Sequence, residues 1–217
     1  MGPTVDAEGF AIRSGVLSEA ECGSLAQAFS AEGGGRAGIR RVMGNPQVNA
    51  MAHDPRLRSL AGGGVPFRAT LFNKTSRANW LIPWHQDTAL PLSRKFDDSA
   101  WGPWSCKGGV WYSHAPEWAL RQVVALRVHL DGSTLDNGPL RVIPGSHHKL
   151  LTDAEVEAAA QLALAVDCVV PRGGVIAIRP LIIHASSKIV NDLPRRVLHI
   201  EYVVSLTLRE GVELRVV

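Results

Sequence analysis

From Val65 onward the chain breaks into short runs of β-branched and aliphatic residues separated by turn residues, and this punctuation limits the fold more than any other feature. The runs fall at 67–72, 123–130, 140–143, 174–178, 197–204 and 212–217. No long amphipathic helix alternates with them, so a doubly wound α/β sheet is disfavoured. The pattern predicts an antiparallel jelly-roll barrel, with one further helix at 153–163 that Thr152 caps and Glu155 completes as a capping box.

The first third reads differently. Ser18 and Glu21 have capping-box spacing, and Leu17, Ala20, Leu25, Ala28 and Phe29 give an apolar face, so a helix is expected over 18–31, stopped at Gly33-Gly34-Gly35. A second short helix is expected at 53–61, opened by Asp54-Pro55. The expected organisation is one domain over 1–217, mainly β, with a helical N-terminal buttress at 1–64 and a jelly-roll core at 65–217. Apolar runs stop short of the roughly 18 to 20 residues a membrane span needs, and Asp6, Glu8, Arg13 and Glu19 interrupt any leader peptide. With Cys22, Cys106 and Cys168 scattered and odd in number, the expected home is the reducing cytoplasm. The net charge of +3 comes from scattered basic residues, so no nucleic-acid partner is expected; the oligomeric state is left open.

Residues 93–120 follow neither periodicity and hold Trp101, Trp104, Trp111, Tyr112 and Trp118. Such a segment is expected to be either a lid or wall of a substrate site, or a surface excursion anchored by its tryptophans.

His85 and Asp87 stand two apart in Trp84-His85-Gln86-Asp87, and on extended chain both side chains face one way. The best third ligand is His184, which ends the apolar stretch 175–183 broken at Arg179-Pro180. Two imidazoles and one carboxylate on one face of an ion leave three positions open, which suits Fe(II) that must also bind a co-substrate and O2. His53 and His114 read as surface residues, His129 and His199 as core or barrel-wall residues, and His147 and His148 as turn residues. Arg195, eleven residues after His184, can hold the far carboxylate of a chelating co-substrate, with a hairpin bringing it beside His184 and Ser186 adding a hydroxyl.

Together with Asp136-Asn137-Gly138-Pro139-Leu140, Ile143-Pro144-Gly145-Ser146-His147 and His184-Ala185-Ser186, these residues resemble the phytanoyl-CoA dioxygenase family of Fe(II)/2-oxoglutarate oxygenases. The resemblance implies a double-stranded β-helix of cupin-like type, iron held by His85, Asp87 and His184, and 2-oxoglutarate held by Arg195 with Ser186. It also implies softer co-substrate roles for Arg41, Thr70 and Arg127. Chlorinating relatives of this chemistry lack the metal carboxylate, so Asp87 points to oxygenation. The expected activity is hydroxylation of a C–H bond in a small metabolite, with release of succinate and CO2. A free metabolite is expected rather than a coenzyme A thioester, because the chain has no lysine-rich groove for its phosphates. Two alternatives remain: a cupin-like metalloenzyme that does not use 2-oxoglutarate, and a jelly-roll binding module without catalysis.

Overall fold

A computed structural model describes residues 5–32, 38–76 and 79–217. In chain order the strands are β1 (Phe10–Arg13), β2 (Gly38–Arg40), β3 (Val65–Lys74), β4 (Ile82–His85), β5 (Ala89–Leu92), β6 (Trp104–Lys107), β7 (Val110–His114) and β8 (Val123–His129). They continue as β9 (Leu140–Val142), β10 (Val166–Cys168), β11 (Val175–Ile178), β12 (His184–Ser186), β13 (Arg195–Val203), β14 (Thr207–Arg209) and β15 (Val212–Glu213). The helices are α1 (Val5–Glu8), α2 (Glu19–Glu32), α3 (Pro46–Ala52), α4 (Pro55–Leu60), α5 (Glu117–Leu120) and α6 (Asp153–Leu162).

The expected capping chemistry forms. Ser18 and Glu21 exchange hydrogen bonds at the start of α2, Asp54 caps α4, and Thr152 with Glu155 builds the capping box of α6. The glycine run at 33–35 lies outside the described residues. Helix α3 was not foreseen, although Asn45 before Pro46 is a capping signal: its side chain accepts from the backbone N–H of Gln47 and Val48.

A six-stranded antiparallel sheet runs in the order β1-β11-β8-β13-β3-β2, and a four-stranded sheet in the order β10-β9-β12-β4. Leu140, Val142 and Cys168 of the small sheet pack with Phe10, Ala125, Ile176 and Ile178 of the large one, closing the jelly roll at one end. The fold is therefore a mainly β double-stranded β-helix. Its N-terminal part is not purely helical, since β1 and β2 form the two edges of the large sheet.

Side-chain alternation on the large sheet explains how it serves two purposes. Leu71, Leu126, Val128, Leu198, Ile200 and Tyr202 face outward and pack against Leu25, Val48 and Leu57 of the helices. Each such fully buried side chain contributes about 1.5–3 kcal/mol. The Tyr202 hydroxyl donates to Ala52 O at 3.0 Å, tying α3 to β13. The intervening positions, Arg68, Thr70, Phe72 and Lys74 on β3, Arg127 and His129 on β8, and Arg195, His199 and Glu201 on β13, belong to the opposite face. Beside the apolar patch of Ala125, Ile176 and Ile178, that face is therefore polar and charged over β3, β8 and β13, which a plain structural core would not tolerate.

The second half of the segment 93–120 is regular structure. Strands β6 and β7 join β5 in a third antiparallel sheet, followed by α5. Its tryptophans pack edge to face, with Phe96 at 5.4 Å from Trp101 and 5.1 Å from Trp104, and Trp101 at 6.0 Å from Trp118. Bulky aromatics spaced irregularly along short strands hide the alternation that would have revealed this sheet. The C-terminal run at 212–217 is strand only at β15, while Val217 hydrogen-bonds both Phe67 and Ala69 beyond it. No helix among the described residues is long and apolar enough to cross a membrane.

Candidate metal centre

Strand β4 is the edge of the small sheet, and its neighbour β12 places His184 directly opposite His85. The stretch at 175–183 is not one run leading to the barrel mouth: Arg179-Pro180 is where the chain leaves β11 in the large sheet and returns as β12 in the small one. That turn is part of the site, because Pro180 O accepts the Asp87 backbone N–H at 2.9 Å. Between His85 and Asp87, Gln86 points the other way and is buried. Its amide donates to Lys149 O and Leu181 O, and its carbonyl accepts from Leu151 N, so β4 is anchored from behind while His85 and Asp87 stay on the cavity side.

His85 Nε2 lies 3.7 Å from Asp87 Oδ1, and His184 Nε2 lies 3.5 Å from Asp87 Oδ2. One ligand atom from each of the three residues falls within 4.8 Å of the others. Metal bonds of about 2.1 Å place ligand atoms roughly 3–3.5 Å apart, so small side-chain rotations bring all three onto one ion. Each histidine Nδ1 hydrogen is donated to the carbonyl two residues earlier, Pro83 O at 2.8 Å and Ile182 O at 3.0 Å, leaving Nε2 as the free lone pair. Burial alone would push the Asp87 carboxyl up, but His184, His85 and His199 hold it far below the ordinary carboxylate range. Burial pushes His184 down to about 4, so its imidazole is neutral near pH 7. Against burial, the facing Asp87 carboxylate raises His85. An acceptor-rich, anionic donor set of this kind fits a divalent transition metal.

Arg195 also comes to this site, though not by a hairpin. Strand β13 belongs to the large sheet and β12 to the small one, so the guanidinium reaches Ser186 across the interior of the sandwich. Its Nη2 donates to Ser186 Oγ at 3.2 Å and its Nε to Asn137 O at 3.1 Å, while Nη1 is buried without a partner. The Asn137–Gly138 turn supplies the first acceptor directly and orients the second, because Gly138 O receives the Ser186 hydroxyl hydrogen at 2.9 Å. Arg127 is buried over the Phe72 ring, and its Nε is likewise unpartnered. Buried orphan guanidinium N–H groups are costly unless an anion completes them, and here they fit a carboxylate.

A cavity of about 560 Å³ opens over the triad, and Thr70, Arg127, Ser186 and Arg41 are among the residues that line it. Arg41 has φ 61°, the only positive-φ residue other than glycine among those described, and its guanidinium donates to Lys107 O and Gly108 O at the β6–β7 turn. Trp104 and Tyr112 line the cavity too, so the Trp-rich sheet is a wall of the site as well as an anchored excursion. His114 is exposed as expected, but it stands at the cavity and bonds Thr88 Oγ1 at 2.7 Å through Nδ1.

Sequence reasoning missed the charged interior. Arg68 forms an ion pair with Glu201 and donates to Ala89 O at 2.8 Å. Glu201 in turn lies 3.4 Å from His199 Nε2, and His199 lines the cavity. Lys74, with no exposed surface, donates to Ser186 Oγ at 2.9 Å and Ser187 O at 2.5 Å. The available signal was charge at two positions an even number of residues apart, and so on one face, in each of two apolar strands: 68 and 74 on β3, 195 and 201 on β13.

Known proteins share this architecture. The chain is similar to AviO1 from Streptomyces viridochromogenes Tue57, at 22% identity and TM-score 0.68 over 97% of this chain and 94% of that one. It is similar to the epimerase SnoN, solved with Fe3+, alpha ketoglutarate and nogalamycin RO, at 17% identity and TM-score 0.71 over 93% and 81% of the two chains. EctD from S. alaskensis, solved with 2-oxoglutarate and 5-hydroxyectoine, gives 20% identity and TM-score 0.68 over 95% and 75%. At these identities the likeness shows the fold. No curated protein matches the chain in sequence. The family model for phytanoyl-CoA dioxygenase matches residues 5–197, and the chain belongs to that family.

Proposed function

We propose that the protein is an Fe(II)- and 2-oxoglutarate-dependent oxygenase that hydroxylates a C–H bond of a small metabolite in the cytoplasm. The observation that carries this reading is the nearness of two incomplete sites: a metal triad with open positions lining the cavity, and, hydrogen-bonded to the lining residue Ser186, a buried Arg195 whose Nη1 lacks a partner. His85, Asp87 and His184 would hold the iron, with Nε2 and carboxylate oxygens as ligands. Arg195 would hold the distal carboxylate of 2-oxoglutarate, assisted by the charge of Arg127, while Thr70 and Arg41 shape the wall beside it. The bound iron and co-substrate supply the oxidising power, with succinate and CO2 as co-products. Trp104 and Tyr112 exclude water from the space above the triad and press the substrate toward it. An isomerase of cupin type would have no use for the orphaned guanidinium, and a binding module would need neither half.

The test is anaerobic addition of Fe(II) and then 2-oxoglutarate, watching for the weak visible band of the metal chelate. The native protein is expected to develop it and His184→Ala to lack it. A native protein without the band, or a His184→Ala variant that keeps it, would overturn the reading. With substrate in hand, a product heavier by one oxygen supports hydroxylation; an isomer, or a product lighter by two hydrogens, would replace it with epimerisation or with desaturation or ring closure.

A further inference from the structure

Lys74 is the least expected side chain of the interior. It is fully buried near the end of β3, directly opposite Arg195 in the β3–β13 register. Among the described residues no carboxylate forms an ion pair with it. A buried ammonium without a counter-charge is expensive, and Lys74 is kept beside a second and a third cation, Arg195 and Arg127. Three converging cations make sense only around an anion.

Ser186 joins two of them. Its hydroxyl accepts from Lys74 Nζ at 2.9 Å and from Arg195 Nη2 at 3.2 Å, and donates its single hydrogen to Gly138 O at 2.9 Å. A hydroxyl has one donor and two acceptor sites, so Ser186 is saturated. It has no hydrogen left for an incoming carboxylate, and its service is to align the two cations. Gly138 completes the arrangement: an added Cβ would stand 2.4 Å from Ser187 O and 3.2 Å from Lys74 Nζ, so glycine leaves the room that lets the ammonium and both serines close up.

We propose that Lys74 is a positioning residue for the distal carboxylate of the co-substrate, setting Arg195 through the shared Ser186 hydroxyl and supplying a second positive charge for the carboxylate to neutralise. This rests on the co-substrate reading above. Lys74 sits on the strand before the metal motif and outside any motif that marks the site in sequence, so nothing but the fold brings it there.

The geometry has a protonic consequence. Burial first, and then Arg195 and Arg127, push the Lys74 ammonium down to about 8. The groups facing it are Arg195 from β13, Arg127 from β8, and the neutral Ser186, Ser187 and Trp80; nearby His129, pushed down to about 3 by burial and the same arginines, stays neutral throughout. An arriving carboxylate favours the charged form and raises Lys74. Binding at pH 8 therefore takes up about half a proton, and affinity falls as pH rises beyond 8.

The experiment titrates anaerobic Fe(II)-loaded protein with 2-oxoglutarate and with 2-oxobutyrate, which keeps the chelating end but lacks the distal carboxylate. Lys74→Met is expected to weaken 2-oxoglutarate by about 10- to 100-fold while 2-oxobutyrate changes by less than about twofold. Equal loss of both ligands, or no loss of either, would overturn the proposal. Should Lys74→Met fail to fold, the native protein still decides: calorimetry at pH 8 in two buffers of different protonation enthalpy must show proton uptake with 2-oxoglutarate and none with 2-oxobutyrate, and the absence of that difference overturns it. A native protein that forms no chelate band with 2-oxoglutarate would remove the proposed function and this proposal with it, whereas a normal band with an indifferent Lys74→Met removes this proposal alone.

Discussion

Replacing Glu201 by glutamine tests whether the charged interior is as costly as its burial implies. The side chain of Glu201 is 2% exposed and that of Arg68 is 18% exposed, and each is the other's counter-ion. Glutamine keeps the size and the oxygen that His199 Nε2 and Arg68 Nη2 share, but it removes the negative charge and turns an NH2 donor toward Arg68 Nε in place of the second carboxylate oxygen. Removing one partner of a buried pair costs about 3–5 kcal/mol. With about 2.1 cal/mol/K of unfolding entropy per residue, a chain of 217 residues has roughly 0.46 kcal/mol/K, so the melting temperature should fall by about 7–11 °C. The double variant Arg68→Met with Glu201→Leu removes both charges and should recover most of that loss. The sign of the pH dependence follows from the depressed carboxyl: burial would raise Glu201, but Arg68 and His199 hold it low. Its stabilisation is present above the ordinary glutamate value and disappears as pH falls through the folded-state value, so native and variant proteins should converge in acid. Calorimetric melts of the three proteins at pH 7, and of native and Glu201→Gln down to the acid limit, provide the measurement. A Glu201→Gln drop under about 2 °C, or a double variant no better than the single one, would refute the reasoning.

Two further changes separate architecture from site. Gly138→Ala and Gly145→Ala both place a side chain at positive φ, 66° and 74°, but only at Gly138 would the new Cβ meet other atoms. Both should lose about 1–2 kcal/mol in denaturant melts from backbone strain, while Gly138→Ala alone should also weaken 2-oxoglutarate binding by tenfold or more. Thr152→Ala removes the capping box of α6 and should cost about 1 kcal/mol, a fall of about 2 °C, with co-substrate affinity unchanged in the same titration.

The barrel was legible because its strands are short, apolar and bounded by turn residues, and α2, α4 and α6 were legible from their capping side chains, whereas the equally well capped α3 was passed over. The metal triad was legible because His85 ends β4 and Asp87 follows two residues on, and both side chains line the cavity; the spacing of two survives translation from chain to space. What was hidden depends on which strand lies beside which. Arg68, Lys74, His199 and Glu201 look like ordinary interruptions of apolar runs until the β3–β13 register sets 68 against 201 and 74 against 195. Arg195 was found by its distance from His184, yet the route it takes, from one sheet to the other across the interior, is a property of topology rather than spacing. The sheet formed by β5, β6 and β7 was concealed because its tryptophans serve a local cluster of rings, so their order follows packing rather than alternation.

Strand β4 is only four residues long and has one neighbour, β12, across which His85 faces His184 from 99 positions away in the chain. A short edge strand of this kind would ordinarily be among the first parts of a barrel to open. A metal ion shared by the two histidines would act there as a rivet, fastening the weakest seam of the smaller sheet and closing a loop that spans nearly half the protein. The ion binds the closed form and not the open one, so at a free concentration 100 times its Kd it would add about 2.7 kcal/mol to the persistence of that seam. Scarcity of the metal would then idle the cavity and also loosen the wall against which its contents are held.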